Sequence, residues 1–211
     1  MRNKAVTSLL AVLAVCSVSQ AFPTLNFSQG VGGGWNFDGA GTFSFDDPID
    51  ITSSSVSAGD TLAGSQIELP DLIVGGSGPV YSLTPNGDVV LRSSGTEVLR
   101  GTLGTGDLIP FLSTGLSYTT FQADLMVTAV NNSIGSTFLN LVEVGMKMDL
   151  SLTFQGAGSF AQMLENNEPG GNGMEGQLSL IIPAPSAILL ASLGLGLVGA
   201  VNRNRKLESA A

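Results

Sequence analysis

Val142-Glu143-Val144-Gly145-Met146-Lys147-Met148-Asp149-Leu150-Ser151-Leu152-Thr153-Phe154 alternates apolar and other residues without interruption. An α-helix would scatter seven apolar residues at period two around its circumference, whereas a β-strand places them all on one face. The stretch is therefore read as a strand. At about 3.3 Å per residue it is longer than a usual strand, which predicts a bend or bulge near Gly145.

Working outward, Phe121, Ala123, Leu125, Val127 and Ala129 repeat the pattern. They predict a second long strand that pairs with the first across the turn residues Asn131 to Gly135. Tyr81–Leu83 and Asp88–Leu91 flank Thr84-Pro85-Asn86-Gly87, where Pro presets φ and Gly accepts positive φ, so a hairpin is expected there. Further strands are expected at Leu25–Ser28, Thr42–Phe45, Ile49–Val56, Ser65–Leu69, Val98–Leu103, Leu116–Tyr118 and Gly176–Ile182. Between residues 22 and 182 no ten-residue stretch has a clean helical period. About ten short strands between Gly-, Ser- and Asn-rich turns predict an all-β fold, an antiparallel β-sandwich with the jelly roll as one form of it.

The two ends of the chain have a different character. Arg2 and Lys4, the apolar run Ala5 to Val18 and the small-x-small Ser19-Gln20-Ala21 make residues 1–21 a secretory signal peptide cleaved after Ala21. Leu13-Ala14-Val15-Cys16 would be a lipidation box but for the branched Val15 before the cysteine, so Cys16 is taken to leave with the signal. At the other end, Pro183-Ala184-Pro185 ends any preceding regular structure, because each proline lacks an N–H and biases its predecessor to extended geometry. Ser186 to Val201 then runs without a charge, and Arg203, Arg205 and Lys206 follow. This run approaches the roughly 20 apolar residues that a spanning helix needs. The basic cluster would hold its C-terminal side in the cytoplasm and everything before it outside.

These residues resemble the PEP-CTERM sorting tail of bacterial envelope proteins, which has a Pro-Glu-Pro element, a short Gly- and Leu-rich hydrophobic helix and an Arg-rich end. Here Ala184 stands where the family usually has Glu. The resemblance covers residues 183–206 and implies recognition by an exosortase-type membrane enzyme, removal of the tail and delivery to the cell surface or extracellular matrix. A plain C-terminal transmembrane anchor has the same physical make-up. Residues 207–211 are a short polar end.

The body, residues 22–182, contains neither His nor Cys, which excludes disulfides, thiolate nucleophiles, imidazole bases and His- or Cys-bound metals. Its three basic residues, Arg92, Arg100 and Lys147, face sixteen acidic ones, a net charge of −13. Nucleic acid is excluded as a partner, since phosphate binding depends on Lys and Arg. Gly30 to Gly34 reads as a turn rather than a phosphate loop, because no Lys-Ser/Thr follows it.

Asp46, Asp47 and Asp50, or Glu165, Glu168 and Glu175, would be the ligands of a structural calcium ion, although neither set has EF-hand spacing; the alternative is solvated acidic loops and no cofactor. Trp35, Tyr81 and Tyr118 are candidates for a sugar-stacking surface. The expectation is a non-enzymatic structural or adhesive protein of the envelope or extracellular matrix. Its rival is a surface-displayed carbohydrate-binding module that contacts extracellular polysaccharide, and a carboxylate-only glycosidase stands behind both.

The alternation yields a test. Met148→Asp and Leu150→Asp are each expected to lower stability by about 3 kcal/mol or more, since an unpaired charge would enter a packed face. Lys147→Ala and Ser151→Ala should stay within about 0.5 kcal/mol. Thermal melts of the four variants check which face is buried.

Overall fold

A computed structural model of the chain describes residues 22–29, 34–46, 48–76, 80–113, 116–156 and 160–181. The signal peptide with Ala21, Gly30 to Gly33, Asp47, and the tail with Pro183, Ala184, Pro185, Arg203, Arg205 and Lys206 lie outside the described residues.

The strands follow one another as staves of a barrel. β1 (Thr24–Gln29) and β2 (Trp35–Phe37) run along one line, and β3 (Thr42–Phe45) and β4 (Ile49–Ser54) return beside them. β5 (Gln66–Glu68) with β6 (Asp71–Gly75) forms the third stave, and β7 (Tyr81–Asn86) with β8 (Asp88–Ser93) the fourth. β9 (Thr96–Leu103) with β10 (Gly106–Ser113) is the fifth, and the single long β11 (Leu116–Val130) is the sixth, paired with both halves of the fifth. β12 (Lys147–Gly156) is the seventh. After the short helix α1 (Phe160–Asn166), β13 (Gly170–Asn172) and β14 (Met174–Leu180) make the eighth. β14 pairs with β1 and β13 with β2, so the last stave meets the first. Every pairing is antiparallel and, apart from the seam between first and last, joins staves that are consecutive in the chain, which makes an up-and-down eight-stranded barrel.

The expected sandwich is thereby corrected. The all-β, antiparallel character holds, but the sheet closes on itself instead of splitting into two layers. The expected Thr84–Gly87 hairpin is corrected too. β7 and β8 are halves of one stave, kinked at Gly87 (φ 140°), and do not pair with each other. The hairpin comes later, at Ser94 (φ 49°) and Gly95 (φ 79°), whose two positive φ values match the twist of the flanking strands. Gly145 is the expected break (φ 89°), yet the regular strand begins only at Lys147. Val144 is consequently 65 % exposed, whereas Met148, Leu150, Leu152 and Phe154 are buried as the alternation requires. Leu116–Tyr118 is the start of β11 and no separate strand.

Eight staves leave an interior just wide enough for side chains to fill. Leu25, Phe27, Ile51, Ile67, Leu91, Leu125, Leu150 and Leu178 all point inward and are buried. Toward the α1 end the filling is aromatic. Trp35, Phe37, Phe43 and Phe154 pack together with ring centroids 4.9–5.8 Å apart, Phe43 and Phe154 stacked and Trp35 edge-on to Phe154, and the Trp35 Nε1–H donates to the Gln155 carbonyl at 3.2 Å. Leu164 of α1 is buried beside them. The outward positions carry Asn26, Gln122, Asp124, Ser151, Thr153 and Glu175, the reverse of a lipid-spanning barrel, whose outer wall is apolar. Among the described residues no helix is long and apolar enough to cross a membrane.

Several inward positions are glycine because a neighbour's side chain already fills the space. A Cβ on Gly176 would lie 2.1 Å from Phe27 Cε2 and 2.9 Å from Leu152 Cδ2, and both side chains are locked in the core. Gly176→Ala is therefore expected to cost about 1–3 kcal/mol, or several degrees of Tm in a domain of this size. Gly59→Ala, where nothing lies within 4 Å, should change Tm little. Paired thermal melts check the contrast.

Candidate functional site

The outer wall formed by β4, β1, β14 and β12 carries two lateral rows of polar side chains. Asn26 lies opposite Gln177, and Gln177 opposite Ser151; further along, Ser28 lies opposite Glu175, and Glu175 opposite Thr153. With Thr52 these residues line a groove of ≈ 390 Å³. Its floor includes Gly176 and Phe27, whose ring is 1 % exposed and passes beneath the groove. Hydrogen bonds hold one wall in place: Asn26 Nδ2 donates to Ser53 Oγ at 2.9 Å, and Thr52 Oγ1 donates to the Asn26 carbonyl at 3.1 Å.

The lining thus offers four hydroxyls, two amides and one carboxylate, and no cation. Such a set can donate to and accept from a polyhydroxylated ligand, at a cost in affinity because no aromatic face is presented to it. Asp50 is the other carboxylate in register. It lies two strands from Glu175 across Ser28, a backbone separation of about 10 Å.

Elsewhere on the wall the charges are arranged in pairs. Arg100 bonds Glu97 at 2.6 Å and Asp88 at 3.3 Å, and Arg92 bonds Glu68 at 2.7 Å. The Arg100 hydrogen bond holds the Glu97 carboxyl below its usual range. Lys147 Nζ lies 3.3 Å from Asp124, which stands directly opposite Asp149. Burial, and then the Asp124 charge, push the Asp149 carboxyl upward. The side chains of all these pairs are about one third exposed or more and add little to stability.

The end of the barrel that carries Pro23 and Leu180 is covered by two loops, residues 55–65 and 131–146. Asp60 ties them together and is only 5 % exposed. Its Oδ2 accepts from Thr137 Oγ1 at 2.8 Å, the Phe138 N–H at 2.9 Å and Ser54 Oγ at 3.3 Å, and its Oδ1 accepts from the Leu62 N–H at 3.2 Å. Leu62, Phe138, Leu139 and Val142 are buried beneath this knot. No sequence pattern marked Asp60, because its partners come from loops nearly eighty residues apart.

The structure disperses most of the residues singled out in the sequence. Trp35 and Tyr81, at 3 % and 5 % exposed, belong to the core and present no sugar-stacking face, and the side chain of Tyr118, the third candidate, lies outside the described residues. Burial, reinforced by Glu165, pushes the Tyr81 hydroxyl upward. Glu175 faces the outer groove, while Glu165 lies in α1 and Glu168 just beyond it. Asp46 is turned to Gly34, its Oδ2 accepting that N–H at 3.3 Å, and Asp50 lies on β4. Among the described residues no three acidic side chains gather as a metal site. No protein-family model, curated protein or solved structure matches the chain.

Asp60 supplies a pH test. Burial raises its pKa, but hydrogen bonds from Thr137, Ser136, Leu62 and Phe138 outweigh that effect and hold it below the ordinary 3.8. A depressed folded value means that its contribution is complete above 3.8 and fades as pH falls through the lower folded value. Asp60→Asn is expected to cost about 1–3 kcal/mol at neutral pH and to make the acid limb of stability shallower. Denaturant titrations of both proteins across the acid range measure the difference.

Proposed function

We propose that the chain is an exported, surface-directed structural or adhesive protein of the bacterial envelope or extracellular matrix. The observation that carries this reading is the tail. Pro183-Ala184-Pro185, the uncharged Ser186 to Val201 and the basic Arg203, Arg205 and Lys206 form a C-terminal transmembrane segment of PEP-CTERM type. Signal peptidase removes residues 1–21 after Ala21, the tail holds the precursor in the inner membrane, and an exosortase-type enzyme acts at the Pro-Ala-Pro element.

The barrel supports the reading in two ways. The Leu180 N–H donates to the Pro23 carbonyl at 2.9 Å, so both terminal segments leave from one end and the α1 end is free for display. The body also lacks His and Cys, so proton transfer near neutral pH would need a strongly shifted carboxylate, Lys or Tyr. A binding role without catalysis suits that composition.

The polar groove favours a second reading, a surface carbohydrate-binding module that contacts extracellular polysaccharide through hydrogen bonds. It is the weaker of the two, since Trp35 and Tyr81 are buried.

Intact-mass measurement of protein recovered from the cell surface tests the sorting proposal. The expected species lacks residues 1–21 and everything beyond the 183–185 region. A surface form that retains Ala211 would leave only the plain anchor. On a glycan array, binding that Gln177→Ala or Glu175→Gln abolishes would move the conclusion to the carbohydrate module.

A further inference from the structure

Exposed apolar side chains interrupt the mostly polar outer wall at Ile73, Val80 and Ile109, on or beside β6, β7 and β10, and again along the lip that carries Pro23 and Leu180. Met126 lies opposite Lys147. Because Met148 lies opposite Leu180 and Thr24 opposite Ser179, the same registers place Ile181 beside Lys147 and Phe22 beside Ile181. Phe22, Ile181 and Met126 are 57 %, 44 % and 39 % exposed, and Val144, just before β12 at the same lip, is 65 % exposed. Two residues further along each strand the outward positions turn polar: Thr24, Ser179, Asp149 and Asp124. An apolar row with one lysine is thus bounded by a polar and acidic row across four adjacent strands.

The chain also continues from this row. Ile181 is separated from the uncharged run that begins at Ser186 by residues 182–185. Five peptide steps reach at most about 18 Å when fully extended, so in an anchored chain Ile181 cannot be far from the hydrocarbon. Large apolar side chains at that depth are stabilised in the headgroup region, and Lys147, whose ammonium lies 3.3 Å from Asp124 on the polar side of the row, can lay its stem along them with its charge at headgroup level. The acidic row sets the limit of immersion, since Asp124 and Asp149 would have to shed water to go deeper.

We propose that Phe22, Met126, Lys147, Val144 and Ile181 form a membrane-resting lip by which the anchored precursor lies against the outer surface of the bilayer. The inference rests on the anchor reading of the tail and adds to it a defined side of the body that faces lipid.

Trp35 is the chain's single tryptophan and is 3 % exposed in the aromatic cluster of the opposite half, so it serves as an internal reference. The chain from residue 22 to 211 is reconstituted into phosphatidylcholine vesicles with or without brominated acyl chains. Native emission should be the same in both. Phe22→Trp and Val144→Trp should each add emission that brominated lipid quenches at least twofold. Unquenched added emission in both variants, in chains that float with the vesicles, would overturn the lip and leave the anchor standing. Chains that fail to float would remove the anchor reading and the lip with it.

Discussion

Six residue pairings between β1 and β14, from Thr24 with Ser179 to Gln29 with Met174, hold the first stave against the last. Nearly everything else about the body depends on that seam. An open eight-stave sheet would leave two rows of unpaired N–H and C=O groups as templates for aggregation, and closure removes them. The seam also spans almost the whole body in sequence, so the barrel cannot be complete until its C-terminal strand has been made. Non-local pairing of this kind is slow to find and then hard to lose.

Closure forces each long stave to curve, and the chain bends them with residues that interrupt a ladder. Pro48 and Pro70 fall between the halves of the second and third staves, and Gly87, Gly104 and Gly173 between those of the fourth, fifth and eighth. Backbone bonds tie neighbouring staves together beside several of these bends: Asp46 N–H to the Gly34 carbonyl, Gly104 N–H to that of Asp124, and Gln155 N–H to that of Gly173. Inside, glycine and large side chains are complementary, with Phe27 over Gly176 and Leu125 over Gly101. A barrel of this width has no room for two bulky residues at such places. The ends are closed differently, one by α1 and the aromatic cluster, the other by loops knotted on the buried Asp60 carboxylate.

Two surface features among the described residues differ in chemistry. The groove across β4, β1, β14 and β12 is lined by hydroxyls, amides and the Glu175 carboxylate. The lip a few residues away is apolar and lies where the chain leaves the barrel. The same strands serve both, because the outward positions of β14 pass from Glu175 and Gln177 in the groove through Ser179 to Ile181 at the lip.

The alternation in residues 121–127 and 147–154, the strand at Thr42–Phe45, the strand expected at Ile49–Val56 and found at Ile49–Ser54, and the all-β class were legible in the sequence, because period two records which face of a strand is buried. The features of the tail and the absence of His and Cys were legible too, being matters of local composition. Bends and hairpins were not separable: Thr84-Pro85-Asn86-Gly87 carries turn chemistry, and that chemistry serves equally to kink one stave or to reverse the chain. Barrel or sandwich turned on whether β14 would pair with β1, and no local pattern encodes a hydrogen bond between residues 24 and 179. The groove and the Asp60 knot were hidden for the same reason, since residues far apart in the chain acquire a common chemistry only when register sets them side by side. Sequence determined what each strand would bury and what each end of the chain resembles; only the tertiary structure decided which strands are neighbours, because pairing is settled by the mutual fit of distant faces.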